Sequence, residues 1–113
     1  MDSLMMGYLA YESGDYATAI EIFEVQTDTI SQFFLGVSYL GVGEAERAIE
    51  RFEWFEKSSM ILNNNALFYT SLAQIKLNQK SKALEILNTL KAAKENSNIP
   101  TQQLNEIIIL LSY

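Results

Sequence analysis

The side chains that could do chemistry in this sequence are mainly carboxylates, and the groups that usually work beside them are missing. The chain has 14 Asp and Glu, no His and no Cys. Without imidazole the commonest general base and metal ligand is absent, and the serine or cysteine triads that need it are excluded. Without Cys there is no disulfide framework and no thiolate metal site. No Gly-rich phosphate cradle is present. We therefore expect neither an enzyme nor a cofactor or metal site.

Most of the carboxylates alternate with Lys and Arg on predicted helices. In segment 44–57 the charged residues fall on one side of a helix, opposite the apolar residues Ala48, Phe52 and Phe55. The charged residues are Glu46, Arg47, Glu50, Arg51, Glu53 and Glu56. Such a face is typical of solvated surface.

The helices recur as a two-helix unit. In the clearest copy, 33–55, Gly43 separates two apolar stripes at helical spacing. A shift toward the N-terminus that moves Gly36 onto Gly7 also carries Gly43, Ala48, Ile49 and Phe52 onto Gly14, Ala19, Ile20 and Phe23. A shift toward the C-terminus carries the same five residues onto Ser71, Asn78, Ala83, Leu84 and Leu87. The sequence therefore predicts three helical hairpins, with a tight junction after the first because its period is short.

This pattern, LGxxYxxxG followed by AIxxF with a period near 34, resembles the tetratricopeptide repeat over roughly residues 3–93. The family has a large residue and Gly in its first helix, Gly and an acidic residue at the turn, and Ala then an aromatic in its second. Repeat two matches with Leu35, Gly36, Tyr39, Gly43, Glu44, Ala48 and Phe52, and repeat one with Met6, Gly7, Gly14, Asp15, Ala19 and Phe23. Repeat three departs, with Ser71 and Asn78 in place of the glycines and Gln74 in place of the tyrosine.

The resemblance implies an all-α fold, a right-handed superhelical array of three tetratricopeptide-like helix hairpins plus a C-terminal capping helix. We expect a single solenoid domain over 1–113. Its repeats are predicted at about 3–28, 30–60 and 64–94, and its capping helix at about 100–113. Before the capping helix, six helices are predicted. Five of them run over about Ser3 to Glu12, Asp15 to Gln26, Ile30 to Leu40, Glu44 to Lys57 and Gln79 to Lys94. The fifth in chain order begins at the capping residues 63–65 and ends near Leu77.

The predicted capping helix is more apolar than a cap requires. A first stripe suited to packing on repeat three contains Leu104, Ile107, Ile108 and Leu111. Ile109 and Leu110 then fall beside it. Two interpretations remain open, a wide buried face or a surface that meets another chain.

In the tetratricopeptide family the first helix of each repeat lines a concave groove, with groove residues at i, i+4 and i+7 near its start. The corresponding positions of this sequence are Leu4, Tyr8, Tyr11, Phe33, Val37, Leu40, Phe68, Leu72 and Ile75. Relatives that clamp the carboxylate of chaperone tails carry Lys, Arg and Asn there, and none is present here. The resemblance thus implies a scaffold or adaptor for protein binding, whose groove takes an apolar or amphipathic peptide segment.

Two alternatives accompany this prediction. In so short an array the groove could be self-filled, which would make these residues ordinary core. Otherwise the chain could be a self-associating structural module, a homodimer that uses the same groove or the C-terminal helix.

Charge and hydropathy restrict the partners and the location. The net charge of −6 and the pI near 4.5 argue against nucleic acid and anionic membrane surfaces, which require a basic footprint. The longest apolar run, 107–111, is far shorter than a membrane span, so no membrane insertion is expected. Because Asp2 follows Met1 without a basic region and an apolar core, no export signal is visible and a cytoplasmic location is expected.

The repeat alignment predicts which substitutions destabilise the fold. Gly36→Leu and Ala48→Leu should each lower the free energy of unfolding by about 2 kcal/mol or more, because they overpack close helix contacts. Glu53→Ala, on the solvated face, should change it little. Thermal denaturation of the three variants checks this, and equal melting temperatures would show that the alignment is misplaced.

Overall fold

The computed structural model describes residues 2–58 and 63–92, and this part of the chain consists of α-helices joined by short turns, with no strand. The helices are α1 (Ser3–Glu12), α2 (Tyr16–Glu24), α3 (Thr29–Gly41), α4 (Ala45–Ser58), α5 (Asn63–Lys76) and α6 (Lys80–Ala92). The all-α prediction is confirmed, with helix ends within about two residues of those expected. The predicted capping helix at about 100–113 lies outside the described residues.

Three of the helices begin at an aspartate whose side chain caps the exposed backbone N–H groups. Asp2, Asp15 and Asp28 accept from the N–H three residues on, at 2.7, 3.3 and 3.0 Å. Asp28 also accepts from the Ser31 hydroxyl at 2.7 Å. These two bonds from Ser31 lower the pKa of Asp28. Because the first N–H groups of a helix have no partner within it, such caps fix the starts of α1, α2 and α3 locally.

The three hairpin turns share one backbone feature, a residue with a positive φ angle. Gly14, Gly43 and Asn78, which the repeat alignment places at equivalent positions, have φ angles of 84°, 86° and 62°. Asn is the residue other than Gly that enters the left-handed region most readily, so it can replace Gly in the third turn. The sequence alignment of these three turns is thus matched by their conformation.

Within the first two hairpins, a glycine of the first helix lies against a phenylalanine of the second. A Cβ atom added to Gly7 would lie 2.5 Å from Phe23 Cε1, and one added to Gly36 would lie 2.7 Å from Phe52 Cε1. Real Cβ atoms do not approach so closely, so any side chain at these positions would push the helices apart.

In the third hairpin the corresponding residues are Ser71 and Leu87, both fully buried. A larger residue thus replaces Gly where a smaller one replaces Phe. The Ser71 hydroxyl donates to the Phe68 carbonyl, which satisfies it inside the core.

The hairpins stack through their first helices. Each helix packs against the next, and in addition α1 contacts α3 and α3 contacts α5, so the odd-numbered helices form one layer. The rings of Phe23 and Phe34 stack at the first junction, with centroids 5.9 Å apart and planes inclined by 20°. Phe52 and Tyr69, at the equivalent positions of the second junction, stack at 5.9 Å and 22°. The junction between hairpins is therefore repeated as well as the hairpin itself.

The short first period has its origin in α2. This helix has nine residues, whereas its counterpart α4 has 14. Four residues separate α2 from α3, and four separate α4 from α5. Most of the residues missing from the first repeat are thus ones that would have extended α2 beyond Glu24.

The turn conformations predict opposite effects of two substitutions. Gly43→Ala should lower the free energy of unfolding by about 1 kcal/mol, because an L-residue in the left-handed region costs about 1 to 2 kcal/mol and the loss of chain entropy in the unfolded state offsets part of that. Steric contact is not the cause, since no atom lies within 4 Å of an added Cβ.

Asn78→Gly should leave stability unchanged or raise it by up to about 1 kcal/mol. Urea denaturation measures both variants. A loss at Asn78→Gly as large as that at Gly43→Ala would contradict the shared turn conformation.

Candidate functional site

The nine residues predicted to line the groove all lie on α1, α3 and α5, but their exposure differs. Tyr8 is exposed. Partly buried are Leu4, Tyr11, Leu40, Leu72 and Ile75. Phe33, Val37 and Phe68 are buried. The accessible part of this layer is therefore smaller than the set of predicted groove residues.

Phe33 is the clearest case of a predicted groove residue that contributes to the core. Only 8% of its surface is exposed. Its ring lies 5.7 to 6.0 Å from four other rings, those of Phe34, Phe52, Phe55 and Tyr69. The planes of Phe34, Phe55 and Tyr69 are inclined to it by 79°, 89° and 74°, the edge-to-face geometry that aromatic pairs favour. Phe33 thus joins the second hairpin to the third.

Leu4 occupies the same repeat position as Phe33 but remains partly accessible, and the length of α2 explains the difference. In the second hairpin Phe55 covers Phe33 from the last turns of α4. The alignment of Gly36 with Gly7 places Gln26 at the position of Phe55, beyond the end of α2. No aromatic ring from the second helix therefore covers the start of the first hairpin.

An apolar pocket opens at this uncovered end, between the first turns of α1 and α3. Its volume is about 240 Å³. It is lined by Asp2, Leu4, Met5, Tyr8, Ile30 and Phe34, and these six residues are called the α1/α3 pocket below. Met5 and Ile30 remain 48% and 47% exposed. Two of the predicted groove residues, Leu4 and Tyr8, thus line accessible surface.

The pocket is held by caps and ring contacts. Asp2 begins α1 and Asp28 begins α3, which sets Ile30 in the first turn of α3. The Phe34 ring lies beside two tyrosines, with its centroid 5.4 Å from that of Tyr8 and 5.3 Å from that of Tyr11. Because Phe34 also stacks on Phe23, its position is coupled to the core of the first hairpin. The pocket is therefore a preformed feature of the first junction.

The two tyrosines beside the pocket are neutral hydroxyl groups near pH 7. The Tyr8 hydroxyl donates to Glu12 Oε1 at 2.6 Å, and this bond raises the pKa of Tyr8. Desolvation raises the pKa of Tyr11. Both shifts move the phenols further from ionisation, so their contribution is apolar ring surface with a polar edge. Such a surface suits binding of apolar side chains.

Besides the capping residue Asp2, three apolar pocket residues, Met5, Ile30 and Phe34, were not among the predicted groove positions. The predicted i, i+4, i+7 pattern starts at Leu4 in α1 and at Phe33 in α3. Met5 and Phe34 each follow one of these positions by one residue, and Ile30 precedes Phe33 by one turn. A usable signal was present, because Ile30 and Phe34 are spaced i, i+4 on a helix that is apolar nearly all round. What the sequence did not show is that the short α2 leaves that side open.

The exposed apolar surface continues on α1. Met6 and Leu9 are also about half exposed. Within α1 itself, Glu12 is the only charged residue. The helix α1 thus presents several half-exposed apolar side chains and a single charge.

A second depression lies between α4 and the α5–α6 turn, and its character is different. Its volume is about 480 Å³. It is lined by Glu46, Ile49, Glu50, Glu53, Gln74, Leu77, Gln79 and Lys82. These include charged residues predicted to be solvated. Among the described residues, no group of three His, Cys, Asp or Glu side chains could hold a metal ion.

A comparison with known families finds one segment of this chain similar to the tetratricopeptide repeat. Residues 65–93 match the family model described as tetratricopeptide repeat. The matched segment covers most of α5 and all of α6, the hairpin whose residues depart most from the family pattern. The resemblance predicted over roughly residues 3–93 is thereby supported at the third hairpin. Tetratricopeptide repeats are a protein-interaction fold without catalytic activity of their own.

No curated protein matches the chain at a significant level. In residues 2–58 and 63–92, no helix is both long and apolar enough to cross a membrane.

The burial of Phe33 and the exposure of Ile30, which lie one turn apart on α3, predict unequal effects of truncation. Phe33→Ala should lower the free energy of unfolding by about 3 to 5 kcal/mol, because it leaves a cavity among the four rings that surround Phe33. Ile30→Ala should lower it by less than about 1 kcal/mol, since its side chain is half exposed. Chemical denaturation measures both. Similar losses would show that Ile30 is packed as core and that the α1/α3 pocket is not an open surface.

Proposed function

We propose that this chain is a scaffold or adaptor module that binds an apolar or amphipathic peptide segment of another protein along α1, α3 and α5. The α1/α3 pocket provides the main contact. The observation that carries this proposal is the pocket itself, a preformed apolar depression that contains two predicted groove residues, Leu4 and Tyr8. The tetratricopeptide match supports the same class of function.

The dimensions of the pocket suit single side chains better than a whole helix. A volume of about 240 Å³ accommodates one or two large apolar residues. Interfaces of helical peptides are organised in this way, with apolar anchors spaced i, i+3 or i+4 inserted into a groove. One anchor would occupy the α1/α3 pocket, and neighbouring anchors would contact the partly buried Tyr11 and Leu40.

Self-association is the alternative use of the same surface. A second copy of the chain would also cover Met5, Ile30 and Tyr8, so substitutions in the pocket affect either use. The two uses differ in mass, which makes the oligomeric state part of the test.

The binding test compares two double variants that each remove two exposed apolar side chains. Met5→Ser with Ile30→Ser changes the pocket. Val25→Ser with Val42→Ser changes two exposed residues that do not line it, 76% and 44% exposed. The probe is a synthetic amphipathic helical peptide of about 18 residues, with a Leu face and a neutral Gln face.

We expect the pocket variant to stay folded and to bind the peptide at least about tenfold more weakly than the parent chain, because it loses two apolar contacts. The Val25 and Val42 variant should bind like the parent. Fluorescence anisotropy measures the affinity, and sedimentation equilibrium the mass. Equal affinity for both variants would contradict the pocket assignment, and a dimer that dissociates only in the pocket variant would identify a second copy as the occupant.

A further inference from the structure

The charges of this chain are distributed unequally along it. The first 46 residues contain eight Asp and Glu and no Lys or Arg, whereas the other 67 contain six acidic and eight basic residues. The charged side chains of α1 and α2 are thus all acidic, and α3 has no charged side chain apart from its capping residue Asp28. Charge asymmetry on this scale creates a potential that selects binding partners.

Three of these carboxylates belong to the surroundings of the α1/α3 pocket. Asp2 lines it. Glu12 accepts the hydrogen bond of the pocket residue Tyr8. Asp28 caps α3 two residues before Ile30. Their partners in the described part of the chain are hydrogen-bond donors of α1 and α3, namely the Met5 N–H, the Tyr8 hydroxyl and Ser31, and none of these carries a positive charge.

Asp28 in particular stays ionised at neutral pH. The bonds from Ser31 lower the pKa of Asp28, which keeps this group charged well below pH 7. Negative charge beside the pocket is consequently present under the conditions in which a partner would bind.

We infer that the segment bound by the α1/α3 pocket is an amphipathic helix with Lys or Arg beside its apolar face. This inference rests on the proposed function and specifies the partner. The apolar pocket supplies most of the affinity, and the carboxylates around it select for positive charge and accelerate association. A second copy of the chain would oppose one acidic surface with another, so like-charge repulsion disfavours a symmetric dimer through this face.

The experiment uses two more versions of the peptide, in which the residues flanking the Leu face are Lys or Glu. Affinities are measured by fluorescence anisotropy at about 20 mM and about 500 mM NaCl. We expect the Lys peptide to bind at least about tenfold more tightly than the Glu peptide at low salt, and this ratio to fall below about threefold at high salt.

Two triple variants with the same change in net charge locate the effect. Asp2→Asn, Glu12→Gln and Asp28→Asn neutralise the carboxylates around the pocket and retain caps and an acceptor for Tyr8, since Asn caps as well as Asp. Glu46→Gln, Glu50→Gln and Glu53→Gln neutralise three carboxylates of α4. The first triple variant should lose most of the preference for the Lys peptide, and the second should keep it.

The outcomes distinguish a failure of the proposed binding function from a failure of the inference that the partner is basic. If the Lys and Glu peptides bind equally and the Met5 and Ile30 substitutions weaken both, the binding function stands and the inference of a basic partner is overturned. If both triple variants reduce the preference equally, the preference arises from the total charge and the inference is likewise overturned. If substitution of the pocket leaves binding of the neutral peptide intact, the proposed function fails before charge is considered.

Discussion

The contact between a glycine and a phenylalanine sets the distance between the two helices of a hairpin, and the rest of the structure depends on it. Gly7 against Phe23 and Gly36 against Phe52 leave no room for a Cβ atom. The helix backbones therefore approach closely, and the aromatic ring fills the space beside the glycine. In the third hairpin Ser71 and Leu87 occupy the same positions with a different division of volume. What is preserved through the array is the combined size of the two residues rather than their identity, as expected where packing density is the constraint.

Once the helix spacing is set, the rings of the hairpins meet at fixed positions. Phe34 stacks on Phe23 and Tyr69 stacks on Phe52 in almost the same geometry. These stacked pairs align the odd-numbered helices in one layer, and Phe33 is then enclosed between α3, α4 and α5. The same packing that orders the array thus removes part of the predicted groove from solvent. A short array of aromatic-rich hairpins is thus stabilised at the expense of accessible apolar surface.

The sequence predicted the elements much better than the surface. Helix starts follow from local caps such as Asp2 and Asp28, and the aligned residues Gly14, Gly43 and Asn78 correctly indicated three equivalent turns, because both signals act within a few residues. The groove required more. The family pattern places Leu4 and Phe33 at the same position, yet one is partly accessible and the other is buried. The difference comes from the length of α2 and from rings on other helices, such as Phe55 and Tyr69, and no local pattern contains that information.

The shortened α2 connects stability to the proposed function. It deprives the first hairpin of a residue equivalent to Phe55, so Leu4 and Ile30 keep surface that a longer helix would cover. Open apolar surface costs stability in an isolated chain, because the burial of each large side chain contributes about 1.5 to 3 kcal/mol. A partner that covers this surface recovers part of that free energy at binding. Aspartates at the starts of α1 and α3 act as caps, and their position beside the pocket also places negative charge next to the proposed binding surface. The capping aspartates give the first junction its negative charge. The junction stays open because α2 ends before the position equivalent to Phe55.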